Sequence, residues 1–416
     1  MTKTQKYTFA IILITSLFFF WGFIHNLDPI LIKHLRSAFS LSHFQASLVD
    51  SAVYIAYLIM AIPAGIIMKK FGYKAGILVG LSLFALGCLL FVPAANTISY
   101  NFFLTALFIL SCGLTILETA ANPYITVLGD PEKATQRLNF AQSFNGLAAS
   151  LAPIVGGIFI LAEEPKTQNE LAQLTDSARQ AYIASETALV KGPYMILGAI
   201  ILIVAILFFC TKLPEIKEGH DNDTSTNIFS ALKHINVKWG ILAQFFYVGA
   251  QAYIFSFLLV FAEEAIHMAG QDAKYYAGLA GFLFMIGRFV GTFFMRFIKP
   301  YKLLLLYSII SILLCMVIIF ASGLVTLYAL VAITFFMSIM FPTIFAIGIK
   351  GTGKDTKSAS SFIIMAIVGG AVIPPIASGI TDSTGNIHNS YYVMILCFLV
   401  ILTFAWKTRN TQIIKE

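Results

Sequence analysis

The chain has 416 residues, of which 58% are hydrophobic and only 11% are charged, with a net charge of +7. A soluble globular domain needs roughly 25% charged residues to cover its surface, so that class is excluded. Apolar runs of about 20 residues, long enough to cross roughly 30 Å of hydrocarbon, recur from end to end, and the excess of positive charge then belongs to membrane topology rather than to a nucleic-acid partner.

In chain order, the apolar runs predict spans near 9–32, 44–68, 75–93, 101–128, 138–162, 193–212, 239–263, 275–298, 302–322, 324–349, 358–380 and 390–407. The first run resembles a secretory leader in length, but no small-residue cleavage site follows it. The polar cluster His25-Asn26-Leu27-Asp28 continues directly into Pro29-Ile30-Leu31, so the run reads as a retained span. Cys88, Cys112, Cys210, Cys315 and Cys397 each fall in a different run. They form neither a disulfide framework nor a metal-ligand set, and behave as small hydrophobes.

An even number of spans puts both termini on one side. On that side lie the termini and the loops carrying Lys69/Lys70/Lys74, Lys133/Arg137, Lys212/Lys217/Lys233/Lys238, Arg296/Lys299/Lys302 and Lys350/Lys354/Lys357. Together they hold 20 of the 27 basic residues, against six in the opposite loops. Lysine and arginine accumulate on the cytoplasmic side, which predicts two cytoplasmic termini on a multi-pass protein of the inner (plasma) membrane.

A polar stretch after the sixth span divides the chain. The expected organisation is an N-terminal six-helix bundle (1–213), a cytoplasmic inter-bundle loop (214–238) and a C-terminal six-helix bundle (239–416). The halves echo each other. Asn122-Pro123 in span four has Gly129 six residues beyond the proline, and Phe341-Pro342 in span ten has Gly348 at the same distance. Spans two and eight end Gly65-Ile-Ile-Met68-Lys69 and Gly291-Thr-Phe-Phe-Met295-Arg296. Spans five and eleven carry Ala152-Pro153-Ile-Val-Gly156-Gly157 and Pro374-Pro375-Ile-Ala-Ser378-Gly379. The expected fold is therefore all-α: twelve transmembrane helices in two pseudo-symmetric bundles, the architecture of major facilitator transporters, whose sites lie at the midplane between repeats.

A charge at the bilayer centre costs at least roughly 2.5–3.5 kcal/mol, so an intramembrane carboxylate normally has a job. Apart from Glu263 at the very end of span seven, only Asp28, Asp50 and Glu118 fall within predicted spans. Glu118 is mid-span, with Asn122 one turn further on the same face. Burial disfavours the charged form of a carboxylate, so such a group can take a proton from one side and release it on the other. Its structural alternative is a Glu held permanently within the bundle. Asp28 lies where Pro29 weakens span one, and Asp50 near the outer end of span two, each balanced between site and interface.

Amides both donate and accept, which suits sugar hydroxyls. Asn139, Gln142 and Asn145 fall within an arc of about 120° at roughly 100° per residue on span five, and Gln244, Tyr247 and Gln251 share a face of span seven. Asn26 joins them from span one. Each could equally glue helices together. Trp21, Tyr54 and Phe255 are candidate stacking surfaces for a pyranose ring, and His25 reads as packing. Arg288, the lone base within a span, either neutralises a cavity carboxylate or anchors the end of span eight. The sequence carries no phosphate-binding glycine loop, metal cluster or nucleophilic triad, so neither an enzyme nor a cofactor is expected.

These strings are specific. Leu117-Glu118-Thr-Ala-Ala-Asn-Pro123, Arg137-Leu-Asn-Phe-Ala-Gln-Ser-Phe-Asn145, Leu242-Ala-Gln-Phe-Phe-Tyr-Val-Gly-Ala-Gln251 and Phe341-Pro-Thr-Ile-Phe resemble the fucose–galactose–glucose:proton symporter family of the major facilitator superfamily over nearly the whole chain. The resemblance implies uptake of a monosaccharide with a proton by alternating access. It places the family's proton-handling glutamate on Glu118 and its cavity amides on Gln142 and Asn145. In span one the fucose-transporting pattern Asn-Asp-Ile-Leu becomes Asp28-Pro29-Ile30-Leu31, so Pro29 stands in the aspartate's place. L-fucose, glucose, galactose and N-acetylglucosamine therefore all stay open as the sugar. The rival of the same fold couples to Na⁺ through Asp28 or Asp50. A sugar sensor or a membrane enzyme would need a signalling domain or a catalytic cluster, and neither is visible. A drug exporter would tolerate broad apolar ligands, so saturable inhibition by one hexose stereoisomer would argue against it. The expected partners are the sugar, H⁺ and the lipid bilayer, with the chain a monomer.

Overall fold

A computed structural model describes residues 3–27, 39, 43–159, 175–214, 228–268 and 270–409. Among them every predicted span has its helix. Lys3–His25 is the first, Tyr100–Val127 the fourth, Ala134–Phe159 the fifth and Asp176–Cys210 the sixth. Spans two and three form one assigned helix, His43–Asn96, interrupted at Gly72 by φ 84° and ψ 172°. A residue with a Cβ rarely adopts that backbone angle, so the turn between the spans rests on a glycine. Helices dominate because hydrocarbon offers no hydrogen bonds, and each backbone N–H and C=O must find its partner within the segment.

The helices form two compact units. One comprises Met1–Ala121 with Leu147–Glu215. In it, spans three and four meet backbone to backbone. A Cβ on Gly113 would strike the amide of Phe84 and the carbonyl of Gly80, and one on Gly87 would strike the backbone of Leu110. Small residues permit such approach where burial of apolar surface no longer drives association. Span six begins at Thr175, whose hydroxyl accepts from the Ala178 amide, well before its predicted start near 193. Phe91 stacks on Tyr194 with ring centroids 3.9 Å apart. At the far end Lys74 Nζ donates to the carbonyls of Phe209 and Thr211, both at 2.8 Å, a cation on carbonyls that the helix itself leaves open.

The second unit comprises Asn122–Gly146 with Ile216–Glu416. Spans seven to nine are Ile235–Ile266, Gly270–Phe294 and Pro300–Phe320, and span twelve is Tyr391–Lys407. Spans ten and eleven are interrupted. Leu324–Met337 gives way to Met340–Gly348, and Thr356–Met365 passes through a 3₁₀ turn, Ala366–Val368, into Gly369–Thr384. Span seven packs against span eleven with no room to spare, since a Cβ on Gly369 would collide with the Phe245 carbonyl and one on Gly249 with the Ile373 side chain. On the approach to span seven, a 3₁₀ turn (Ile228–Lys233) is fastened to the segment before span eleven. Ser230 Oγ donates to Asp355 Oδ1 at 2.5 Å, and His234 Nε2 lies 2.9 Å from Asp355 Oδ2.

The glycine contact makes a prediction. Gly369→Val should lower the melting temperature of the purified protein, because overpacking costs about 1–3 kcal/mol. Gly379→Val, where a Cβ has nothing within 4 Å, should leave it unchanged. Equal melting of the two variants in a detergent thermal-shift series would contradict the packing described.

Candidate functional site

In the first unit, Glu118 is buried mid-helix in span four, 6% exposed. Its Oε2 accepts from the hydroxyl of Tyr57 at 2.7 Å. Tyr57 is itself buried; it lies on span two, one turn beyond Tyr54, which is half-buried. Tyr54 is the tyrosine that the sequence singles out on this span, yet the partner of Glu118 is Tyr57. The only signal available was their three-residue spacing, which puts both on one side of the helix. A phenol can donate to the carboxylate and also accept from the protonated acid, so this pair stays satisfied in either protonation state.

Asp28 lies outside the described residues, as does the side chain of Asp50. Asn26 is half-buried, and its Nδ2 donates to the carbonyl of Gly22 at 2.7 Å. Trp21 is buried against Phe18, ring centroids 4.3 Å apart, and so is spent on packing. His25 is exposed at the end of span one.

The second unit assembles most of the amides. Asn122 and Gln142 are both buried, and Gln142 Nε2 donates to Asn122 Oδ1 at 3.2 Å. Asn139 is also buried. Its Nδ2 donates to the Thr135 carbonyl at 2.9 Å and to Thr343 Oγ1 on span ten at 3.2 Å, which is the helix-joining use of an amide. Tyr247 is buried against the Phe341 ring. Gln251 is half-buried, and Phe255 stands edge-on to Phe284 at 5.3 Å. Gln244 is fully buried, yet neither its amide nitrogen nor its oxygen has a hydrogen-bond partner among the described residues.

Arg288 organises this network. The cause lies in span ten, where Pro342 has no N–H to offer the carbonyl of Ser338 four residues earlier. Arg288 Nε donates to that Ser338 carbonyl at 3.2 Å, and the Tyr247 hydroxyl donates to the neighbouring Met337 carbonyl at 3.0 Å. The other arm of the guanidinium reaches span five. Nη1 donates to the Gln142 carbonyl at 2.5 Å and to Asn145 Oδ1 at 3.1 Å. Gly146 leaves space for the arginine stem, and the Phe284 ring lies 4.6 Å below the guanidinium, a favourable cation–π separation. Arg288 is 4% exposed. It therefore joins spans five, eight and ten.

This arrangement is testable. Arg288→Gln should destabilise the protein by about 1–3 kcal/mol, the cost of leaving buried acceptors unanswered. In a Pro342→Ala background the restored amide can serve the Ser338 carbonyl, so the same substitution should cost less. A double-mutant cycle on melting temperatures with no coupling would rule out the proline as the reason for that contact.

A family model described as the Major Facilitator Superfamily matches residues 9–367. The chain is 43% identical over 413 residues to the L-fucose-proton symporter of Escherichia coli strain K12, covering 97% of this chain and 94% of that protein. It is 37% identical over 407 residues to a glucose/galactose transporter of Brucella abortus, covering 97% and 95%. The fold superposes on the crystal structure of a major facilitator transporter, FucP, in the outward conformation, with a TM-score of 0.91 and 43% identity over 97% of this chain and 99% of the other.

Proposed function

The chain belongs to the Major Facilitator Superfamily, and from that premise we propose that it takes up a monosaccharide together with a proton. Its relatives are transporters rather than enzymes, and one of them is a fucose-proton symporter. The observation that carries the reading is Glu118: an acid held away from water in a membrane helix, with a tyrosine hydroxyl as its partner. A charge in that position is costly, so binding and release of a proton fit it better than a permanent negative charge.

Each step has its residue. From the external side Glu118 takes a proton while Tyr57 keeps the carboxyl oriented. The sugar hydroxyls then meet amides, with Gln142, Asn145 and the unpartnered Gln244 the strongest candidates. Gln244 supports this role because a buried amide with no partner is unfavourable until something polar answers it. Asn139 and Tyr247 serve the framework, through Thr343 and the Met337 carbonyl. Loading lets the chain expose the site to the cytoplasm by alternating access, where the sugar leaves and Glu118 gives up its proton. The protein sits in the inner membrane as a monomer with both termini in the cytoplasm, as the lysine and arginine distribution favours. Pro29 in place of an acid leaves the proton step to Glu118, with Asp28 the nearest substitute.

The decisive experiment is uptake into proteoliposomes. With an imposed pH gradient and no sodium, the wild type should concentrate one hexose from a panel of L-fucose, glucose, galactose and N-acetylglucosamine. Glu118→Gln should abolish accumulation while sugar counterflow persists, and Tyr57→Phe should slow accumulation without abolishing it. Undiminished pH-driven accumulation by Glu118→Gln would remove this residue from the mechanism. A strict requirement for sodium would replace the proton as the coupling ion.

A further inference from the structure

Away from the amide network, the second unit has an open cleft of about 900 Å³ where the start of span five meets the end of span eight. Its rim carries Lys133 and Arg296, and its wall carries the rings of Phe140, Phe289 and Phe293. Both cations are exposed, and neither side chain has a hydrogen bond or ion pair among the described residues; the Arg296 guanidinium lies over the Phe293 ring, 5.9 Å away. All three phenylalanines are more than a third exposed, as is Phe297 next to them at 74%.

Two further charged groups line the cleft. Arg137 is already committed. Its Nε, Nη1 and Nη2 donate to the carbonyls of Ile125, Asp130 and Thr126, which closes the end of span four. Glu132 contributes the one negative charge, so the lining keeps a net positive balance. Gln136 bridges the two walls, its Nε2 donating to the Thr292 carbonyl at 3.3 Å.

Two unengaged cations beside a ledge of exposed aromatic rings do not suit water alone, nor a purely apolar partner. The cations call for an anion, and the rings call for hydrocarbon. One ligand supplies both at this level of the chain. We propose that the cleft binds an anionic phospholipid of the cytoplasmic leaflet, its phosphate between Lys133 and Arg296 and its acyl chains along Phe140, Phe289 and Phe293. Basic pockets between membrane helices on the cytoplasmic side take such headgroups. The assignment to that leaflet rests on the topology proposed above. The binding chemistry itself does not. Because the walls belong to spans five and eight, the lipid also braces the same contact that Gln136 and Arg288 make.

The test uses the full-length protein in detergent, where neither orientation nor transport affects the result. Native mass spectrometry should show phosphatidylglycerol and cardiolipin retained over phosphatidylcholine. Lys133→Ala combined with Arg296→Ala should weaken phosphatidylglycerol retention roughly thirtyfold, as expected for two charges at a headgroup. A control with the same loss of charge elsewhere, Lys238→Ala with Lys354→Ala, should retain it. Inorganic phosphate should compete only weakly, because it leaves the rings uncovered. Equal retention of neutral and anionic lipid would overturn the proposal, as would retention unchanged by the Lys133 and Arg296 substitutions. Full competition by phosphate would show a free-anion site instead. Loss of lipid binding with sugar uptake intact would leave the transport reading standing, and the converse would leave the lipid site standing.

Discussion

The interior of a bilayer cannot answer a backbone carbonyl, and most of what is distinctive in this protein follows from the places where its helices leave one unanswered. Pro342 takes the amide that Ser338 would have used. The reply comes from Arg288, on another span, and it brings a positive charge to a depth where charge is expensive. That charge is spread over two carbonyls and an amide oxygen, on two spans, and rests on an aromatic face. One missing N–H thus draws span five against spans eight and ten, and aligns the Gln142 and Asn145 amides along the way.

The two polar centres differ in kind. Glu118 and Tyr57 share a hydrogen bond that survives the gain or loss of a proton. The described hydrogen bonds of the amide network in the second unit join neutral dipoles and one permanently charged guanidinium. A carrier of ion and neutral solute needs both: one group whose charge changes, and a set of groups whose charge does not, so that affinity for the solute follows geometry rather than pH.

The spans were legible in the sequence because length and apolarity are properties of consecutive residues. So were Glu118 and the amides of span five, since a polar side chain in an apolar helix is conspicuous whatever it touches. Their partners were not legible. Glu118 and Tyr57 are 61 positions apart, and Asn139 and Thr343 are 204 apart; periodicity gives the face of a helix but not its neighbour. The proline in span ten was visible as an echo of Pro123, yet its consequence for Arg288 depended on which helix came alongside. The early start of span six at Thr175 was hidden because its first turns are polar and look like loop.

The fastening of Ser230 and His234 to Asp355 bears on how the chain tolerates mechanical disturbance. A pull applied to the chain ahead of Ile228 meets this clasp before it reaches span seven. Its hydrogen bonds end on a carboxylate at the start of span eleven, so the tension is shared between two helices. Anything grafted onto the chain ahead of Ile228, such as a fluorescent reporter or a crystallisation partner, is separated from span seven by a junction a few residues long.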